Sequence, residues 1–233
     1  MDLTQKLYPA LDKLISEIEN KAESVKGIVK TGRTHLMDAM PVDFSDELKA
    51  WSSQLTASRK MLEVIEERFL EMPQGGTAVG SGINAHKQFA KIFAQELAKL
   101  SRSNYKCVAS SNFFHELSAQ DSSVQLSGEL KNLAVILMKI SNDLRWMNSG
   151  PLTGLSEIEL QALQPGSSIM PGKVNPVIPE AVTMVSADVI GNDVSITVAA
   201  QAGNFQLNVM LPVIAYNLLT VSYTHLTLPT IYS

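Results

Sequence analysis

Cysteine is almost missing from this 233-residue sequence: Cys107 stands alone. One thiol cannot close an intramolecular disulfide or build a cysteine metal site, and such usage suits a reducing compartment, so a cytoplasmic protein is expected. Positive charge is short as well. Nineteen Lys and Arg face 23 Asp and Glu, for a net charge of −4, and no basic run supplies a local field. A nucleic-acid partner is therefore not expected. No uninterrupted apolar run reaches the roughly 18 residues that cross a bilayer. Met1-Asp2-Leu3-Thr4 lacks the basic start and apolar block of a signal peptide. The expectation is a soluble chain with no membrane partner and no transit peptide. His35, His86, His115 and His225 do not fall at metal-ligand spacing, so no metal site is expected. No tandem self-similarity argues for a solenoid, and parallel-sheet signals are absent.

What is present is helical periodicity. Apolar residues are 45% of the chain and mean hydropathy is +0.06, which suits a globular core. From Leu3 to Val29 they recur at three- and four-residue steps, predicting one amphipathic helix that needs a partner for its stripe. The period is lost over Lys30 to Pro41, predicting a connection or distorted strand-like piece. A second helix, capped by Asp43 or Ser45, follows to about Leu70. Gly75, Gly76, Gly80 and Gly82 then make a loop. It follows a helix and has no lysine after its last glycine, so neither nucleotide-binding spacing fits. Helices are predicted over 85–100 and 117–147, and again from Pro176 to Leu219 with Gly191, Gly203 and Pro212 as places to bend or break. The fold class that results is all-α, a bundle of long antiparallel helices. Residues 1–219 read as one helical domain, whereas 220–233, rich in threonine, read as a non-native tail.

Between the last two helical regions lies a connection over 148–176, far longer than the usual median of about 4–6 residues. Its end, Gln164 to Pro176, mixes prolines and glycines with Ser167, Ser168, Lys173 and Asn175. A loop of this kind on a rigid scaffold can gather polar groups around a ligand. Lys173 and Asn175 would offer charge and directional hydrogen bonds, although a surface lysine beside a turn asparagine is the ordinary explanation. The two serines could equally cap the following turn. His35 and Glu180 become a general base and its carboxylate support only if the fold unites them; otherwise they are a solvated histidine and a helix-N-terminal glutamate.

Gly166-Ser167-Ser168-Ile169-Met170-Pro171-Gly172-Lys173-Val174-Asn175-Pro176 resembles the signature of the fumarase/aspartase superfamily, and within it of the class II fumarases. Gly32-Arg33-Thr34-His35-Leu36 with Asp38-Ala39 resembles its second region, and Gly75 to Gly80, Gly191-Asn192-Asp193 and Gly203-Asn204-Phe205 extend the likeness. The resemblance runs from about residue 3 to Leu219. It implies a helical central domain that associates into a homotetramer with composite active sites. The implied reaction is reversible anti addition of water to fumarate, giving (S)-malate, with no metal or organic cofactor. Ser167 is then the base that takes the C3 proton of malate, and His35, supported by Glu180, acts through a bound water. Thr34, Ser168, Lys173, Val174 and Asn175 surround the substrate.

His35 and Gly172 favour fumarase over aspartase, in which Gln and Ala are usual there. Val177 to Glu180, Asn208-Val209-Met210 and Leu211 keep an aspartate ammonia-lyase as the alternative, with a non-catalytic helical assembly module as the other. Against that resemblance, the superfamily's N-terminal domain, with a further substrate loop, and its C-terminal domain are expected to be absent from residues 1–219. The isolated polypeptide is expected to be inactive or severely impaired.

Overall fold

The computed structural model describes residues 3–101, 105–164, 169–170 and 172–227, with side chains through Val221. Leu3–Leu7 make a wide helical turn that leads into α1 (Tyr8–Ser24), with Pro9 in the first turn, where its missing N–H costs nothing. The apolar stripe predicted a helix to Val29, but α1 stops five residues earlier. Gly27 adopts φ +83°, a conformation that ends helices. Its N–H donates to Asp43 Oδ2 at 2.8 Å, while Asp43 Oδ1 accepts from Ser45 N at 2.8 Å and caps the next helix. One carboxylate thus fixes the end of α1 and the start of α2 (Phe44–Glu66).

Between them the chain forms an antiparallel hairpin, β1 (Val29–Thr34) and β2 (Met37–Asp43), with an irregularity at Gly32. A Cβ on Gly32 would lie 2.6 Å from the Met40 carbonyl oxygen, so the close strand approach requires glycine. A tight turn (Glu67–Leu70) follows α2, and then β3 (Glu71–Met72) pairs in parallel with β4 (Val108–Ala109). This two-residue pairing escaped the sequence reading because it is too short to leave a pattern. α3 (Phe89–Leu100) lies between the two strands in sequence. α4 (Phe113–Ser118) is capped by Asn112, whose side-chain oxygen accepts from His115 N at 3.2 Å.

The bundle proper is α1, α2, α5 (Asp121–Met147), α6 (Val177–Ala200) and α7 (Leu211–Thr227). At 27 residues, α5 runs about 40 Å. It packs against α2 on one side and α6 on the other, α6 packs on α7, and α1 packs on α2. Leu126, Leu130, Leu133 and Ile140 of α5 are buried with Leu11, Trp51, Leu55 and Leu62 in a continuous core. Gly191 does not break α6. The break comes at 201–210, where buried Asn208 donates to the carbonyls of Ala199 and Ala200, both at 3.0 Å, and accepts from Met210 N at 2.8 Å. Pro212 falls in the first turn of α7, where proline is tolerated. α7 continues to Thr227 and buries Val221, so helix extends into the segment read as a tail.

By length and composition α6 could cross a membrane. It packs between α5 and α7, which cover only part of that apolar surface. Its one fully enclosed charge, Asp193, accepts from Ser127 at 2.7 Å and pairs with Lys131 at 2.6 Å, both on α5.

The glycine loop is a packing device. Gly80 has φ +102°, and a Cβ there would sit 2.8 Å from the backbone nitrogen and ring of Phe114. Gly80→Ala is expected to cost roughly 2–4 kcal/mol, summing left-handed strain and overpacking. Gly128→Ala on α5, where a Cβ meets nothing within 4 Å, should instead stabilise by up to about 1 kcal/mol. Urea unfolding of the two variants checks both signs.

Candidate active site

His35 and Leu36 form the tip of the β1–β2 hairpin, both at positive φ, 56° and 59°. Two consecutive left-handed residues match the twist of a two-residue hairpin turn, which usually recruits Asn and Gly. Non-glycine residues there carry strain, which concentrates at functional positions. Thr34 and His35 are exposed, so the hairpin presents the imidazole outward.

The base of the hairpin is fixed by ions. Lys30 Nζ lies 2.6 Å from Glu47 and 3.0 Å from Glu157, and Arg33 Nη1 lies 2.5 Å from Glu157. These side chains are largely enclosed, at 12% exposure for Lys30, 16% for Glu157 and 21% for Arg33. Burial pushes the Glu157 carboxyl up, but the Arg33 hydrogen bond and the Lys30 ammonium outweigh it and hold it below the usual range. Burial likewise pushes Lys30 down, and its two carboxylates more than compensate. Glu157 was not among the residues picked from sequence. It is separated from Lys30 and Arg33 by over a hundred positions, and no local spacing reveals such a contact.

The long connection begins by folding back on the end of α5. Asn148 Oδ1 accepts from Leu160 N at 2.8 Å, the Ser149 carbonyl from Ser156 N at 2.8 Å, and the Met147 carbonyl from Glu157 N at 2.8 Å. Glu157 is thereby set beneath the hairpin. At the other end, Lys173 N donates to the Met170 carbonyl at 3.1 Å, and Val177 N to Asn175 O at 2.9 Å as α6 starts. Lys173, Val174 and Asn175 are exposed, and Glu180 lies half-buried in the first turn of α6.

Lys173, Val174, Asn175 and Glu180 line one side of an open cleft of about 430 Å³. Asn142, Arg145, Trp146 and Asn148, from the end of α5 and just beyond, line the other. Lys173, Val174, Asn175 and Glu180 thus line one cleft. Ser167 and Ser168 lie outside the described residues. His35 and Glu180 are not paired within the chain: among the described residues no side-chain hydrogen bond or ion pair joins them. Nor do the described residues contain a group of three or more His, Cys, Asp or Glu side chains able to hold a metal. His115, which does not line the cleft, clamps α4 to α5 by a 2.8 Å contact with Asp121, and that hydrogen bond raises its pKa.

The polar loop exposed at the junction of two long helices, α5 and α6, belongs to a chain whose class follows from comparison with known proteins. A family model described as Lyase matches residues 1–191, and the chain belongs to that family. Within it the chain is similar to class II fumarate hydratases. It is 57% identical over 219 residues to fumarate hydratase class II 2 of Pseudomonas aeruginosa, covering 94% of this chain and 47% of that protein. To the class II enzyme of Bacillus subtilis it is 46% identical, covering 92% and 46%. The class II fumarase structure from Schistosoma mansoni superposes with a TM-score of 0.93 at 35% identity, covering 98% of this chain and 50% of that one. A fumarate lyase:delta crystallin from Brucella melitensis gives 0.89 at 42% identity, covering 95% and 48%. The chain spans about half the length of the curated relatives it matches.

Proposed function

We propose that this chain is the central part of a class II fumarate hydratase, which adds water reversibly across fumarate to give (S)-malate. The observation that carries the reading is the cleft at the start of α6, where Lys173, Asn175 and Glu180 face one space, in a chain 57% identical to a fumarate hydratase. In the malate-to-fumarate direction, Ser167 takes the C3 proton. The electron pair left behind moves into the adjacent carboxylate, giving a dianionic aci-carboxylate. Lys173 and Asn175 stabilise that developing charge more than the ground state, the kind of interaction whose loss costs about 100- to 1,000-fold in turnover. The C2 hydroxyl then departs with a proton supplied through a water held by His35, and Thr34, Ser168 and Val174 position the substrate.

The site is composite in this reading. Among the described residues no hydrogen bond or ion pair joins His35 to Glu180 in the single chain, and α6 and α7 leave Met184 70%, Val194 59%, Tyr216 72% and Leu219 63% exposed. Helices apolar on nearly every side are normally enclosed. A homotetramer with these helices at its centre would cover them and bring the histidine of one subunit to the glutamate of another. A reducing cytoplasm fits the lone thiol.

Grafting residues 1–219 into the Pseudomonas aeruginosa relative, in place of the matching segment, tests the reading. Hydration of fumarate, followed by loss of its ultraviolet absorbance, is the expected activity, with Ser167→Ala lowering turnover at least about 100-fold while the assembly persists. Ammonia-dependent aspartate formation without hydration would make it an aspartate ammonia-lyase. Assembly with neither activity would make it a non-catalytic helical module.

A further inference from the structure

Arg145 lines the cleft but has no role in the chemistry above. Its ordinary explanation is electrostatic, since a basic residue in the last turn of a helix interacts favourably with the terminal carbonyls. Those carbonyls already have partners. Leu144 O accepts from Asn148 N at 3.0 Å, Trp146 O from Ser149 N at 3.0 Å and Ser149 Oγ at 2.6 Å, and Met147 O from Glu157 N at 2.8 Å. Neighbouring carboxylates do not account for it either. Asp143 is engaged by Lys139 at 2.5 Å, and among the described residues no ion pair joins Arg145 to Glu180, the one carboxylate lining the same cleft. Asn142 Oδ1, one turn back, accepts from Arg145 Nη1 at 3.1 Å. That bond steadies the guanidinium, and among the described residues no other hydrogen bond or ion pair takes up its remaining donors.

The cleft is therefore bordered by two cations on opposing elements, Arg145 at the end of α5 and Lys173 before α6, with amides from Asn142, Asn148 and Asn175 between them. Two separated cations suit a small dianion with a charge at each end. A guanidinium fork pairs with a carboxylate through two parallel hydrogen bonds, which an ammonium cannot do. Trp146, 52% exposed beside Arg145, supplies an apolar wall for the carbon chain. We propose that Arg145 is a substrate-binding residue of this cleft, holding one carboxylate of a four-carbon dicarboxylate whose other end meets Lys173 and Asn175. The proposal rests on the fumarate hydratase reading and adds to it a residue that sets the preference for two carboxylates over one.

Saturation-transfer NMR on the full 233-residue chain, with succinate as an unreactive dicarboxylate and butyrate as its monocarboxylate counterpart, provides the test. Wild type should bind succinate saturably. Arg145→Ala should weaken succinate about 10- to 100-fold, the loss of charged hydrogen bonds, and leave butyrate unchanged. Arg145→Lys should fall between the two, keeping the charge without the fork. Circular dichroism verifies that helix content is retained in each variant. If Arg145→Ala binds succinate as tightly as wild type while Lys173→Ala loses it, the assignment of Arg145 is overturned and the reading of the cleft stands. If wild type shows no saturable preference for succinate over butyrate, the assignment of Arg145 is overturned, while the fumarate hydratase reading is judged by the activity of the grafted enzyme.

Discussion

Replacement of His35 by asparagine is expected to lower turnover of the grafted enzyme by about 100- to 10,000-fold, the range for removing a general acid–base group. The substitution is chosen for its backbone. His35 sits at φ 56°, and asparagine is among the few residues that enter the left-handed region readily, so the hairpin turn should survive. Asparagine also keeps a polar side chain while removing the imidazole proposed to shuttle a proton to the leaving hydroxyl. Leu36→Gly supplies the control, because it relaxes the second strained residue of the same turn, φ 59°, without touching the imidazole. Steady-state rates should fall steeply for His35→Asn and little for Leu36→Gly. Equal losses would assign the effect to the shape of the tip, and a fully active His35→Asn enzyme would remove the imidazole from the mechanism.

The contrast between these neighbours marks where the sequence was legible. Helices α2 and α5 could be read because their stripes bury against each other, Leu48, Trp51, Leu55 and Leu62 meeting Leu126, Leu130 and Leu133. The end of α1 could not, since Val29 continues the three-and-four spacing of the stripe although Gly27 has already turned the chain into a strand. Local period carries no information about which of two adjacent stop signals prevails. The strand-like character of 30–41 was visible, but its tight tip was not, because His35-Leu36 lacks the Asn-Gly pair that usually announces such a turn. In the proposed site, Lys173 and Asn175 were picked from one dense run of turn and polar residues, and Glu180 from its place one turn into the helix that follows. Arg145 and Glu157 were not, because only the fold sets Arg145 across a cleft from Lys173 and Glu157 beside Lys30 and Arg33. An arginine closing an amphipathic helix and a glutamate in a loop are ordinary surface residues until the chain folds.

Glu157 is the more consequential of those two for stability, and Glu157→Gln is expected to cost about 2 kcal/mol of unfolding free energy near neutral pH. Removing one member of a buried ion pair can cost about 3–5 kcal/mol, because an uncompensated charge remains. The lower figure applies here since Lys30 retains Glu47 at 2.6 Å, and Arg33 keeps Asp38 at 3.9 Å on the solvent side. The pH dependence has a definite sign. The carboxyl is held below its usual value of 4.5 in the folded chain, so its contribution is present above that value and is lost as pH falls through the folded pKa. Lys30 is shifted up, so its contribution holds below the unfolded lysine value and disappears only at strongly alkaline pH. Urea unfolding should therefore show a gap between wild type and Glu157→Gln that is constant around neutrality and closes in acid. A gap that persists unchanged into acid would mean that Gln fails through packing instead of charge. Glu157 also hangs from the Met147 carbonyl at the end of α5, so the ion pairs tie the His35 hairpin to the helix that forms one wall of the cleft. A looser hairpin displaces the imidazole without removing it. In the grafted enzyme Glu157→Gln should therefore reduce kcat by less than His35→Asn does, and the two changes together should cost little more than His35→Asn alone, because both act through the same side chain.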